Sequence, residues 1–130
     1  MDLITVTQKK DSHFQTEIRN HIILSDMSVD DGGNDESPSP AEHMVSALGA
    51  CIGMTINTYC ETLKQDTADL EITMTYVLNN DPKMIKNITV DIAMPEGFPE
   101  SRHKAVMNLL KACPIYNSLH PDIEVDIEIE

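Results

Sequence analysis

The sequence predicts an α+β fold of mostly antiparallel strands around a long buried central helix, in the order β-β-α-β-β-α-β. Three observations carry this expectation. The chain opens on β-branched, apolar segments around a short polar turn; a capped run from Ser39 to about Lys64 has apolar side chains on most faces; and Ile123, Val125, Ile127 and Ile129 alternate with acidic residues to the end. With 130 residues, 41% of them hydrophobic, a single domain over residues 1–130 is expected.

Leu3 to Thr7 and Phe14 to Leu24 read as the opening strands, with Lys9-Lys10-Asp11-Ser12 as the turn between them. Asp30 to Pro40 holds Asp, Gly, Asn, Ser and Pro without an apolar residue, and so reads as an exposed loop. It lacks the regular acidic alternation of a calcium loop.

Ser39-Pro40-Ala41-Glu42 combines a capping-box pattern with proline at the first helical position, which starts the central helix. A helix from there to about Lys64 would be roughly 37 Å long, about the diameter of a domain of this size. One chain can hardly cover it on all sides, so burial by a second copy, a homodimer, is expected. Gly49 and Gly53, spaced by four in mid-helix, each cost about 0.5–1 kcal/mol relative to Ala and imply that something approaches that face closely.

Asp69 to Leu78 and Ile85 to Met94 form a predicted hairpin around Asn79-Asn80-Asp81-Pro82. Pro99 to Ala112 places Ala105, Val106, Leu109, Leu110 and Ala112 at helical spacing, an amphipathic helix. The alternating segment after it is a half-buried last strand.

Charge and composition exclude several functions. The formal charge is -13, from 22 acidic and 9 basic residues, so the chain repels phosphate backbones and anionic lipid. The longest apolar run, Ala47 to Met54, is far short of the roughly 20 residues that cross a bilayer, and the start does not read as a secretory signal. Neither nucleic acid nor a membrane is expected as a partner. His13, His21, His103 and His120 lack metal-ligand spacing, no nucleotide-binding glycine loop occurs, and so no metal or organic cofactor is implied.

Three cysteines without a C-x-x-C pair do not make a secreted disulfide framework, so a cytoplasmic location is expected. Cys51 and Cys60 stand nine residues apart on one helix, about 180° and roughly 13–14 Å, and cannot be bridged. Cys60 therefore reads as a core thiol. Cys51 lies beyond the helix turn where the macrodipole acts, so a lowered pKa there needs a basic neighbour. Cys113 precedes Pro114 and either ends one helix or caps a short one beginning at Pro114.

Ser37-Pro38-Ser39-Pro40-Ala41-Glu42-His43-Met44-Val45-Ser46-Ala47-Leu48-Gly49-Ala50-Cys51, with Ala112-Cys113-Pro114-Ile115-Tyr116-Asn117-Ser118-Leu119 downstream, resembles the OsmC/Ohr family, and the element order agrees over nearly the whole chain. The resemblance implies an intertwined homodimer with sites at its interface, Cys51 as the peroxidatic thiol and Cys113 as the resolving one. It also implies an Arg from an early strand that favours the thiolate, for which Arg19 is the candidate, and a Glu that holds that Arg. Position ten before Cys51 is Ala41; Glu42 comes one residue later, about 100° around the helix, so capping is its expected work unless a partner subunit uses it. His43 is either a nearby base or a polar residue at the helix start.

This departure resembles the less characterised OsmC-like branch more than the dedicated organic hydroperoxide reductases. The implied activity is thiol-dependent reduction of organic hydroperoxides in oxidative stress defence, favoured by an apolar lining around Cys51. Its rival is a non-catalytic binding module or redox sensor that holds an apolar small molecule at the dimer interface.

Overall fold

The computed structural model describes residues 2–130 and contains two compact units, residues 1–44 and 45–130, with one helix passing from the first into the second. Strands β1 (Ile4–Lys10), β2 (His13–Ile18) and β3 (His21–Ser25) belong to the first unit and form an antiparallel meander. Two opening strands are expected from the sequence, and three are found. The segment Phe14 to Leu24 is cut at Arg19-Asn20, whose φ angles of 46° and 70° make a two-residue hairpin turn between the paired Ile18 and His21. Positive φ at both central residues matches the right-handed twist of the flanking strands.

After β3 the chain winds around the buried carboxylate of Asp26. That group accepts the Ser12 hydroxyl and the backbone N–H groups of Met27 (2.7 Å), Asn34 (3.3 Å) and Glu36 (3.1 Å), with His13 Nε2 at 3.2 Å. The Ser12 hydrogen bond first, then the three N–H donors, outweigh desolvation and hold Asp26 at a pKa of about 2. The expected exposed loop is therefore ordered, with a 3-10 turn at Val29–Asp31. Gly33 lies against the Met27 carbonyl, where any Cβ would collide.

Helix α1 runs from Pro40 to Thr62 and starts at the expected cap. Ser39 N–H donates to Glu42 Oε1 at 2.9 Å, and Glu42 N–H donates to Ser39 Oγ at 3.2 Å, a reciprocal capping box. Its buried residues, Val45, Leu48, Ile52, Ile56 and Cys60, recur every three or four positions and make one apolar stripe. The all-round burial expected for this helix is not met within the chain: Met44 is 41% and Met54 70% exposed, and Ala47 and Ala50 also face solvent.

In the second unit, β4 (Glu71–Asn80) and β5 (Lys83–Ala93) pair antiparallel, and β6 (Glu124–Ile129) pairs with β5. The β5–β6 pair is parallel, so the sheet is mixed; the connection through two helices returns the chain to run in the same direction. Register builds three rows on one face: Ile72, Ile92 and Ile129; Met74, Val90 and Ile127; Tyr76, Ile88 and Val125. A bulge at Lys86 lets Ile85 and Ile88, three apart, both be buried where strict alternation would send them to opposite faces.

The close approach expected at the α1 glycines is supplied by β4 of the same unit. A Cβ on Gly49 would stand 2.5 Å from Met74 Sδ, and one on Gly53 would stand 3.4 Å from Ile72 Cδ1. The helix expected over Pro99 to Ala112 is shorter. A 3-10 turn at Glu100–Arg102 leads into α2 (His103–Leu110), and a one-turn helix, α3 (Pro114–Asn117), follows it. These elements bring the order to β-β-β-α-β-β-α-α-β, within the expected α+β class. Among the described residues, no helix is long and apolar enough to cross a membrane.

Candidate functional site

Cys51 and Cys113 are joined as a disulfide, their Cα atoms 6.7 Å apart across a sequence separation of 62. Two local geometries make this possible. Cys51 is half-buried on α1, beside the stripe residues Leu48 and Ile52. Cys113 is 2% exposed and stands where α2 gives way to α3.

Pro114 dictates the second geometry. The residue before proline is steered out of the α conformation, and Cys113 has φ -63° and ψ 128°. Its N–H donates to Leu110 O at 3.1 Å, finishing α2, and its carbonyl accepts Asn117 N–H at 3.0 Å, opening α3. Both alternatives left by the sequence therefore hold at once: Cys113 follows the end of one helix and caps the next. Neither helix end has a clear electrostatic advantage at its sulfur, because opposed partial charges meet there.

The other candidates lie in the first unit, and each has a partner there. Arg19 is on the hairpin turn rather than a strand edge, with its Nε 3.7 Å from Asp2 Oδ2. Glu42 is engaged in the cap, and the Ser39 backbone N–H, the Ser39 side chain and neighbouring His43 together hold its pKa below the usual carboxylate value. His43 Nε2 lies 2.8 Å from Leu24 O. The structure thus joins Cys51 to Cys113 and places Arg19 and Glu42 in contacts of their own.

Cys60 is fully buried, and burial pushes its thiol pKa up. A cluster not anticipated from the sequence lies further along α1: Arg102 Nη1 donates to Tyr59 Oη at 3.1 Å, and Phe98 packs between Tyr59 and His103. The signal for it was scarcity. With aromatic residues at only 4% of the chain, Phe98 just ahead of a helix start is a conspicuous anchor.

An α+β fold in which a central-helix cysteine is bonded to one at a later helix junction defines a small protein with a paired-cysteine centre. The chain belongs to the OsmC family: the model for OsmC-like proteins matches residues 32–128. No protein of curated function matches the sequence.

Among solved structures, a Psychrobacter arcticus 273-4 protein described as a candidate osmotic stress induced and detoxification response protein is 25% identical. That match has a TM-score of 0.92 and covers 98% of this chain and 94% of that one. An organic hydroperoxide resistance protein OsmC from Legionella pneumophila is 16% identical, with a TM-score of 0.78 over 100% of this chain and 96% of that one. An OsmC-like protein of unknown function from Vibrio cholerae is 15% identical, with a TM-score of 0.84 over 100% and 99%. The last two likenesses establish the fold alone.

Proposed function

We propose that this OsmC-family protein is a thiol-dependent peroxidase acting on organic hydroperoxides, with Cys51 as the attacking thiol and Cys113 as the resolving one. The supporting observation is the Cys51–Cys113 bond, which links the central helix to the α2–α3 junction. Cys51 is the more accessible of the two, as an attacking sulfur should be.

The Cys51 thiolate attacks the outer oxygen of the hydroperoxide, the O–O bond breaks, and the alkoxide leaves as alcohol after taking a proton. Cys51 becomes a sulfenic acid. The Cys113 sulfur displaces its hydroxyl, which leaves as water, and the disulfide closes. Two equivalents of an external thiol reopen it and are themselves oxidised to a disulfide. A reducing compartment such as the cytoplasm supplies those thiols.

The proposed working form is a homodimer, supported by the uncovered face of α1 and the apolar side chains of the first sheet. Ile4, Val6, Ile22 and Leu24 are each more than half exposed. Arg19 is proposed as the cation that favours the Cys51 thiolate in that dimer. Its ion pair with Asp2 is a surface one, worth about 0–1 kcal/mol, so redirecting the guanidinium costs little. Glu42, the candidate for holding Arg19, would do so only in addition to its work in the cap.

Stopped-flow consumption of cumene hydroperoxide with dithiothreitol tests the reading. Wild type should turn over, Cys51→Ser should not, and Arg19→Gln should be slower. Equal rates for wild type and Cys51→Ser would leave the binding module as the function.

A further inference from the structure

The disulfide fastens α1 to the segment that carries Cys113, and a second contact lies further along the helix. There, Arg102 Nη1 donates to Tyr59 Oη at 3.1 Å; the Phe98 ring lies 6.4 Å from Tyr59 and is stacked 6.0 Å from His103, 19° from parallel. Tyr59 follows Cys51 by eight residues, about 12 Å along α1. Arg102 precedes α2 and Cys113 follows it, and the eight residues of α2 also rise about 12 Å. Between its two attachments the segment therefore runs antiparallel to α1, from the Tyr59 end towards Cys51.

We infer that Tyr59, Phe98, Arg102 and His103 form an anchor that positions Cys113 for closure on Cys51. This rests on the redox reading of the cysteine pair and deepens it. Once the disulfide is reduced, the covalent end is free. The concentration of Cys113 thiol around Cys51 is then set by what still holds the segment: the buried Val106 and Leu110, and this anchor. An anchor fixed one helix length away restricts the thiol to a small volume around its target. The coupling is reciprocal, since whatever the anchor adds to closure, closure adds to the anchor. These four are positioning residues, because they act through the segment rather than on the reacting sulfurs.

The test is the equilibrium of the full chain with reduced and oxidised glutathione, in which the Cys51–Cys113 bond is reduced to two thiols while two glutathiones become one disulfide. Thiols are trapped and counted by mass. Tyr59→Phe and Arg102→Gln should each make the disulfide about fivefold easier to reduce, roughly 20 mV for a two-electron couple, with little further change when combined. Arg102→Lys, which keeps a donor, should restore much of the loss. Phe98→Ala should act in the same direction, and Tyr59→Phe, which removes one oxygen, keeps the test valid if Phe98→Ala does not fold.

Lys104→Gln, exposed on α2, serves as the control. An unchanged equilibrium in folded Tyr59→Phe and Arg102→Gln variants would overturn the anchor, as would a change matched by Lys104→Gln. Neither result depends on peroxide turnover, so failure of the peroxidase reading and failure of the anchor are seen in different measurements.

Discussion

Gly49 of α1 and Met74 of β4 meet so closely that a Cβ on the glycine would stand 2.5 Å from the methionine sulfur, whereas four residues on, Gly53 leaves 3.4 Å to Ile72. The two glycines should therefore respond oppositely to alanine. Gly53→Ala gains about 0.5–1 kcal/mol of helix preference in a site with room for the methyl. Gly49→Ala gains the same but must displace a mid-chain sulfur in a packed region, where overpacking costs about 1–3 kcal/mol, so the net is destabilising. Thermal unfolding of both variants is the check, and Met74→Ala should remove the penalty of Gly49→Ala.

Asp26 predicts acid sensitivity. Its folded pKa of about 2 lies below the ordinary 3.8, so its ionised form favours the folded state. That stability is present in full above the unfolded value and is lost as pH falls through about 4 towards about 2; Glu42, lowered likewise, contributes in the same direction. Protection of the Met27, Asn34 and Glu36 amides against hydrogen exchange, measured relative to the intrinsic rate at each pH, should fall over that window. In Asp26→Asn these amides should exchange faster at neutral pH, with a flatter dependence below it.

Cys60 should be silent in thiol labelling. It is fully buried and burial raises its pKa, so it stays protonated near neutral pH and out of reach of iodoacetamide. Reduced, folded protein should label at Cys51, with Cys60 following only on unfolding. Equal labelling rates for the two would contradict these assignments.

Much of the fold was legible because its signals are local. The capping box fixed the start of α1, the turn at Asn79 to Pro82 fixed the β4–β5 hairpin, and the alternation of Ile123 to Ile129 fixed β6. The turn at Arg19-Asn20 was missed because its positive φ angles come without the usual glycine. The parallel sense of β6 is a property of the connection and leaves no mark on the strand's own pattern. For the site, Cys51 and Cys113 came from two motifs that the family resemblance joined; spacing along the chain says nothing of their meeting. The glycine pair signalled a close neighbour but not which one, and β4 of the same chain supplies it.

The proposed homodimer predicts that a charge on the uncovered face of α1 does more harm than exposure in one chain suggests. Met54 is 70% exposed, and a substitution at such a surface position usually shifts stability by within about 0.5 kcal/mol. Met54→Asp should weaken the dimer well beyond that. Light scattering at micromolar concentration should give twice the chain mass for wild type and a concentration-dependent fall for the variant. A folded wild-type monomer would remove the shared site.

The most direct test of the cysteine chemistry is the thiol state after one equivalent of cumene hydroperoxide is mixed with reduced protein and quenched by alkylation. The account predicts one alcohol formed per chain, a Cys51–Cys113 disulfide found by peptide mapping, and Cys60 still free. In Cys113→Ser, the same oxidant should leave a sulfenic acid on Cys51 that a dimedone probe captures. Hydroperoxide that survives beside three intact thiols would contradict the account.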